Sequence, residues 1–356
     1  MSLAVAIERI GGAIPEVGNA TSRWARREGL LLRLVDADGR SGVGEASPLP
    51  GHSPDDLEQA FAALEHVVRS DARGLFESAS SLEALGAFLD AHEVSSPSAR
   101  FALETAALDL RGQREGRPLH RLLSEATSAR VPLSTLVPLS GARATARAAS
   151  ALVDAGYRSF KAKIGGDRAM ERESLRALRE TIGEGGELRL DANASLSRDE
   201  AESRLAELAD LGPSYVEEPT ALHALEGVPR GFAVDVALDE SLLHLDTGAL
   251  ERFLAAGKVG AVVLKPMLLG GFGRCLAIAE LAARVGIGAA ASHLFDGSVA
   301  LAAASELALA LPRPLAAGLA PHAALPAYGA LPLASHRGAS IVAHDRPGLG
   351  FEAGVA

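Results

Sequence analysis

From about residue 130, short apolar or β-branched runs alternate with longer stretches whose apolar residues recur every three or four positions. The strand-like runs are VPLSTLVPL (131–139), SFKAKI (159–164), LRLDA (188–192), SYVEE (214–218), VDVALDE (234–240), AVVLK (261–265), GAAASHL (288–294) and AAGLA (316–320). Helical patterns lie between them, among them 142–156, 198–212, 274–286 and 298–311. Eight strands, each followed by a helix or connection, predict an α/β fold of the (β/α)8 TIM-barrel type. A doubly wound open sheet ranks behind it, because no glycine fingerprint opens the first unit.

The first part of the chain has a different rhythm. Residues 28–36 and 40–46 flank Asp36-Ala37-Asp38-Gly39, which reads as a β-hairpin. Helical patterns follow at 54–69, 81–93 and 97–114. This predicts an α+β capping domain over residues 1–128 and a barrel over 129–325. The tail, SIVAHDRPGLGFE (340–352), reads as strand and turn, so segment 326–356 is expected to pack back on the cap. No low-complexity linker separates these parts.

Composition narrows the class. The chain has 356 residues, 48% hydrophobic and 22% charged, and no charge-free apolar run long enough to span a bilayer. The formal charge of −10 argues against a nucleic-acid partner. The N-terminus lacks the features of a signal peptide, and Cys275 is the one cysteine, so a cytoplasmic protein is expected. Cys275 falls on an apolar helix face and reads as core. Nothing in the pattern fixes an oligomeric state.

Four of the 35 basic residues are lysine: Lys161, Lys163, Lys258 and Lys265. A lysine kept in an arginine-rich chain points to a task arginine cannot do, the release of a proton near neutral pH. Three of the four sit at the ends of strand-like runs.

The polar residues at those strand ends come in order: Lys161 and Lys163, then Asp191 and Asn193, Glu217 and Glu218, Asp239 and Glu240, and Lys265. Each step is about one βα unit, so consecutive strands deliver ionisable groups to the rim where barrel enzymes carry their sites. Any one of these acids would be an ordinary strand-end residue. Three in register, flanked by lysines, predict a hard divalent cation, Mg2+ or Mn2+, held by Asp191, Glu217 and Asp239. Lys161 and Lys163, two apart on one strand face, depress each other's pKa, so one of them becomes a base near pH 7. A metal flanked by lysines suits removal of a proton α to a carboxylate. A small-molecule carboxylate is therefore the expected partner.

SFKAKIG, LRLDANAS, YVEEPT, ALDES and VVLKPMLLGG, in this order and spacing, resemble the enolase superfamily, muconate-lactonising branch. GVGEASPLPGHS (42–53), PSARFALETAALDL (97–110) and Arg189-Leu190-Asp191 are similar to the o-succinylbenzoate synthases within it. The resemblance implies Mg2+ on Asp191, Glu217 and Asp239, with Asn193 and Glu240 behind them. It implies Lys163 as the base, Lys265 as a cation over the enediolate, and Lys161 as a tuning group. Arg189, Ser292 and Gly318 are the implied substrate-side residues, and loops around 14–22 and 48–53 would hold a succinyl arm. The implied reaction is syn-dehydration of 2-succinyl-6-hydroxy-2,4-cyclohexadiene-1-carboxylate to 2-succinylbenzoate.

Two readings compete on this scaffold, an N-acylamino-acid racemase and a dipeptide epimerase. The region after the eighth strand, GLAPHAAL (318–325), carries no acid for a peptide amine, which lowers the epimerase. A catalytically silent barrel would have lost a ligand or a lysine, and none is missing. Strand seven ends in Ser292-His293-Leu294-Phe295-Asp296-Gly297-Ser298, where Asp296 and Gly297 depart from the family's serine-rich pattern. His293 reads as a hydrogen-bonded pocket wall rather than as a catalytic histidine.

Overall fold

Strands β1 (Ala4–Gly18), β2 (Arg23–Val35) and β3 (Ser41–Ala46) form an antiparallel sheet in that order. The structure, a computed structural model, describes residues 3–18, 22–225, 232–257, 259–329 and 331–352; Lys258 and residues 19–21 of the expected 14–22 loop lie outside them. The β2–β3 hairpin turns at Asp36, whose carboxylate accepts the backbone N–H groups of Asp38 and Arg40. The loop expected around 14–22 is corrected in part. Residues up to Gly18 belong to β1, where Val17 pairs with Trp24 after a register shift that accommodates Pro15.

Helices α1 (Leu57–Ser78), α2 (Leu82–Ala91), α3 (Pro97–Glu115) and α4 (Leu119–Leu123) follow. Ser96 caps α3 by accepting the Ala99 N–H, Pro97 opens it, and Gly116 ends it in the left-handed region. The helix lies directly on β3. A Cβ at Gly44 would come 1.9 Å from the Ala102 carbonyl oxygen and one at Gly42 2.2 Å from that of Ala106, so only glycine allows this approach.

The barrel is a parallel sheet of consecutive strands: β5 (Ser134–Leu136), β6 (Ser159–Lys163), β7 (Glu187–Asp191), β8 (Tyr215–Glu217), β9 (Val236–Leu238), β10 (Val259–Leu264) and β11 (Gly288–Ala291). Helices α5 (Ala142–Asp154), α6 (Arg168–Ile182), α7 (Arg198–Leu208), α8 (Leu222–Leu225), α9 (Thr247–Ala255), α10 (Pro266–Leu269), α11 (Phe272–Arg284) and α12 (Ser298–Ala310) alternate with them or follow them. The eighth position is an irregular segment. Residues 314–318 bridge β11 on one side and Leu133 on the other, and Pro312 and Pro314 keep the segment from a regular ladder. The Ala317 carbonyl nonetheless accepts the Ser134 N–H, and the Gly318 N–H donates to Ala291, which closes the barrel.

The first expected strand is also shorter than 131–139. It divides at Leu133, because β4 (Arg130–Pro132) leaves the barrel to pair antiparallel with β13 (Ser340–Val342), beside β12 (His336–Arg337). The tail continues to Gly348, whose carbonyl accepts the Leu119 N–H of α4. Cys275 is buried, as its helix face implied. Among the described residues no helix is long and apolar enough to cross a membrane.

Cap and barrel are joined next to the site. Arg27 of β2, buried, donates to the carbonyls of Ser47 (2.7 Å) and Pro48 (2.9 Å) in the cap and of Leu294 (3.2 Å) and Phe295 (3.3 Å) in the barrel. Glu45 accepts the N–H groups of Gly297 (2.6 Å) and Ala300 (3.1 Å) at the start of α12, where a carboxylate meets the positive end of the helix.

Candidate functional site

The pleat builds the site in two layers. Lys161, Arg189 and Tyr215 are neighbours across β6, β7 and β8, and two residues on Lys163, Asp191 and Glu217 repeat the row. The lower row plugs the barrel. Arg189 is buried with its guanidinium 5.0 Å from the Tyr215 ring, donates to the Ala316 carbonyl at 2.6 Å and pairs with Glu187 at 3.0 Å. Arg189 thus floors the cavity with two of its nitrogens already engaged, which fits support of the site better than a grip on substrate.

The upper row opens into a cavity of about 510 Å3. Lys161 Nζ lies between Asp191 Oδ2 (2.9 Å) and Glu217 Oε2 (2.5 Å). Burial disfavours its charge, but Asp191 and Glu217 outweigh burial and hold it well above the ordinary lysine value. Lys265 pairs with Asp239 and lies 3.4 Å from Glu240; these acids more than offset its burial and raise it too. Lys163 differs. Its Nζ donates to the Gly18 carbonyl at 3.1 Å, and burial, reinforced by repulsion from Lys161 and Lys265, lowers its pKa despite Asp191. The lysine pair therefore splits into one group held as a cation and one that gives up its proton more readily than an ordinary lysine.

Strained backbone turns the remaining strand ends. Asn193 (φ +44°) follows β7, and its N–H donates to Asp191 Oδ1 at 3.0 Å. Glu218 (φ +37°) turns away from Glu217. Its carboxyl accepts the N–H groups of Asp239 (2.7 Å) and Ser241 (2.9 Å), so it fixes the backbone that carries Asp239. Burial pushes Glu218 up to about 7. Glu240 bridges Lys265 and His52, the latter at 3.5 Å and contributed by the cap loop 48–53.

Asp191, Glu217 and Asp239 are all buried, and Asp239 Oδ1, Glu240 Oε2 and Asn193 Oδ1 have no hydrogen-bond partner. In burial, hard oxygen chemistry and unpartnered acceptors, this donor set suits a small divalent cation. Among the described residues no group of three or more His, Cys, Asp or Glu side chains is arranged to hold a metal ion. The ammonium groups of Lys161 and Lys265 occupy the carboxylate oxygens instead.

Ser292 and Gly318 meet across the closing bridge and line the cavity. His293 lines it beside them. Its Nδ1 accepts the Phe295 N–H at 2.9 Å, with no acid as partner, in keeping with a pocket wall. Asp296 and Gly297 belong to the joint with the cap. A Cβ at Gly297 would sit 2.6 Å from Glu45 Oε2, and the Asp296 carboxyl accepts the Leu294 N–H at 3.2 Å. The missing side chain at Gly297 thus leaves room for Glu45. The structure adds Trp24, His52, Phe295 and His322 to the cavity wall. Of these, His52, Phe295 and His322 fall in stretches already singled out in the sequence, PLPGHS, 292–298 and GLAPHAAL, though not as individual site residues, whereas Trp24 arrives by pairing within the first hairpin.

Residues 144–354 match the family described as enolase C-terminal domain-like. The L-Lys-D/L-Arg epimerase of Methylococcus capsulatus is 32% identical over 295 residues, 80% of each chain. The o-succinylbenzoate synthase of Desulfotalea psychrophila is 30% identical over 76% of this chain and 80% of its own. Among solved structures, the Methylococcus capsulatus dipeptide epimerase complexed with Mg and the dipeptide L-Arg-D-Lys superposes with a TM-score of 0.80 at 26% identity, covering 98% of both chains. The chain belongs to the enolase superfamily, on its muconate-lactonising branch.

Proposed function

We propose that the protein is a dehydratase of the o-succinylbenzoate synthase type, acting on 2-succinyl-6-hydroxy-2,4-cyclohexadiene-1-carboxylate with Mg2+. The observation that carries this reading is the unlike surroundings of two lysines of one cavity, Lys163 on a backbone carbonyl and Lys265 on two acids. Lys163 is depressed and free of carboxylate contact, whereas Lys265 is fixed as a cation by Asp239 and Glu240. A syn-dehydration needs one base and one cation.

The neutral amine of Lys163 takes the α-proton, and the electron pair of the C–H bond moves into the carboxylate as it becomes an enediolate. Lys265 holds its positive charge over the ring. As the electrons return, the C–O bond on the same face breaks, and the ammonium now on Lys163 protonates the departing hydroxyl, which leaves as water. The ring becomes aromatic. Asp191, Glu217 and Asp239 would hold the Mg2+, which supplies a counter-charge to the substrate carboxylate. Lys161 offsets negative charge among these acids.

The second reading is an N-acylamino-acid racemase or a dipeptide epimerase on the same scaffold. The N-succinyl-L-Arg/Lys racemase of Bacillus cereus, 22% identical to this chain, supports the first form and the epimerase of Methylococcus capsulatus the second, and both reactions would use Lys163 and Lys265 as two bases. The absence of any acid in 318–325 speaks against a dipeptide with a free amine. The test is an ultraviolet assay on the cyclohexadiene beside a polarimetric assay on N-succinylamino acids, each with Mg2+ and with EDTA. Mg2+-dependent dehydration is expected, and racemisation without dehydration replaces the leading reading with the second.

A further inference from the structure

Glu218 is a buried acid of the rim to which the proposed chemistry gives no task. It stands at φ +37°, a left-handed conformation that a glutamate keeps only where its contacts hold it. Those contacts reach both neighbouring strands. Its N–H donates to the Ala237 carbonyl at 3.1 Å, and its carbonyl accepts the Ala194 N–H at 2.7 Å. Its Oε1 accepts the N–H groups of Asp239 (2.7 Å) and Ser241 (2.9 Å), and its Oε2 accepts the Ser241 hydroxyl at 2.7 Å.

These bonds join the strand ends that carry the acids. Ala194 lies just beyond Asp191 of β7, Glu217 is the neighbour of Glu218 on β8, and Asp239 lies just beyond Ala237 and the end of β9. The Asn193 N–H, beside Ala194, donates to Asp191 Oδ1, so the turn that Glu218 holds also orients that carboxylate. A displacement of Glu218 therefore changes the separations of Asp191, Glu217 and Asp239 together. The Glu218 carboxyl is itself committed to the Asp239 turn, with both oxygens already accepting.

We propose that Glu218 is a positioning residue that sets the spacing of Asp191, Glu217 and Asp239, and that it makes the site prefer a small divalent cation over a larger one through the reach of its side chain and not through its charge. The assignment rests on the reading of those three acids as the ligands of Mg2+. A Mg2+ ion demands near-ideal octahedral geometry at about 2.0–2.1 Å, whereas Ca2+ accepts a looser set of oxygens at about 2.3–2.6 Å. Strand ends free to drift apart lose the first ion before the second. Charge and reach are separable at this position. A glutamine keeps the clamp, because its amide oxygen accepts both N–H groups and its NH2 donates to the Ser241 oxygen. An aspartate keeps the charge but is one methylene shorter, and from the same backbone it does not reach the same donors.

The test is calorimetric titration of Mg2+ and of Ca2+ into the wild-type protein, Glu218→Gln, Glu218→Asp and Ser241→Ala, with thermal melts to show that each is folded. Glu218→Gln is expected to bind both ions as the wild-type protein does. Glu218→Asp is expected to lose at least ~10-fold in Mg2+ affinity and less in Ca2+ affinity, so that the preference between the ions shifts. Ser241→Ala removes one donor of the clamp and leaves every acid in place; it should shift the preference the same way by a smaller factor, and it carries the test if Glu218→Asp does not fold. Weaker Mg2+ binding by Glu218→Gln than by Glu218→Asp would make charge the operative property and overturn the proposal. An unchanged preference between Mg2+ and Ca2+ in the folded clamp variants would overturn it too. A wild-type protein that binds no Mg2+ removes the metal reading and this proposal with it. The expected pattern in a protein that does not dehydrate the cyclohexadiene supports the positioning role while removing the dehydratase reading.

Discussion

Lys163 Nζ donates to the carbonyl oxygen of Gly18, so the amine at the end of a barrel strand is held by the first hairpin of the cap. The contact satisfies the amine without neutralising it, and a carbonyl oxygen leaves an amine free to lose its charge as a carboxylate would not. Lys163→Ala and Lys163→Arg are both expected to cut kcat by at least ~10²-fold with the fold retained, since a guanidinium stays protonated. The base is active when neutral, so wild-type kcat/KM should rise with pH and level off below the ordinary lysine value, because burial lowers this pKa. A plateau reached only at the pH where free lysine titrates would take Lys163 out of the role.

Lys265 has the opposite requirement. Asp239 and Glu240 hold it as a cation, and a cation is what a dehydration asks of it. Lys265→Arg is expected to keep measurable dehydration and to lose racemisation of N-succinylamino acids. Solvent-deuterium exchange at the α-carbon of each enantiomer reads this directly. Exchange retained for both enantiomers in Lys265→Arg would show that Lys265 is the base for neither.

Asp239 has an oxygen without a partner in a buried acidic site. Asp239→Asn removes one negative charge from the set proposed to hold Mg2+, and its affinity for the ion should fall at least ~10-fold with turnover falling alongside. Calorimetric titration with Mg2+ checks it. Unchanged affinity takes Asp239 out of the ligand set.

The barrel half is readable in the sequence because its strands are local and alternate strictly. Once β6, β7 and β8 are placed, the pleat alone puts Lys163, Asp191 and Glu217 in one row. What the sequence conceals depends on partners far along the chain. β4 leaves the barrel because β13, about 200 residues later, offers it an edge. The eighth strand is irregular because two prolines interrupt it. Gly297 makes sense only beside Glu45, and His322 joins the cavity only because Arg27 fixes the loop it stacks on. Spacing carries none of these relationships.

Trp24 is the one tryptophan, and it lines the cavity with its indole N–H donating to the Pro50 carbonyl at 3.0 Å. Ligand binding should therefore change the intrinsic fluorescence, saturably and with the same midpoint as calorimetry. A ligand that inhibits competitively yet leaves the emission untouched would place the substrate away from the hairpin.

Glu104 stands outside the site and yields a stability test with a definite sign. It is buried in α3 and accepts the Phe272 N–H at the start of α11, yet burial pushes its pKa up to about 7. In the unfolded chain a glutamate titrates near ~4.3, so between these values the native state binds the proton more tightly. Its contribution is present in acid and is lost as the pH rises from about 4 to about 7, by roughly 4 kcal/mol at most. Glu104→Gln removes this dependence and keeps an acceptor for the Phe272 amide. Asp109 is raised to about 7 by burial as well, so the informative quantity is variant minus wild type. Urea unfolding at pH 5 and pH 8 is expected to show the variant gaining on wild type as the pH increases. A penalty of equal size at both values would show that the carboxylate is charged throughout, stabilised by the helix end it faces.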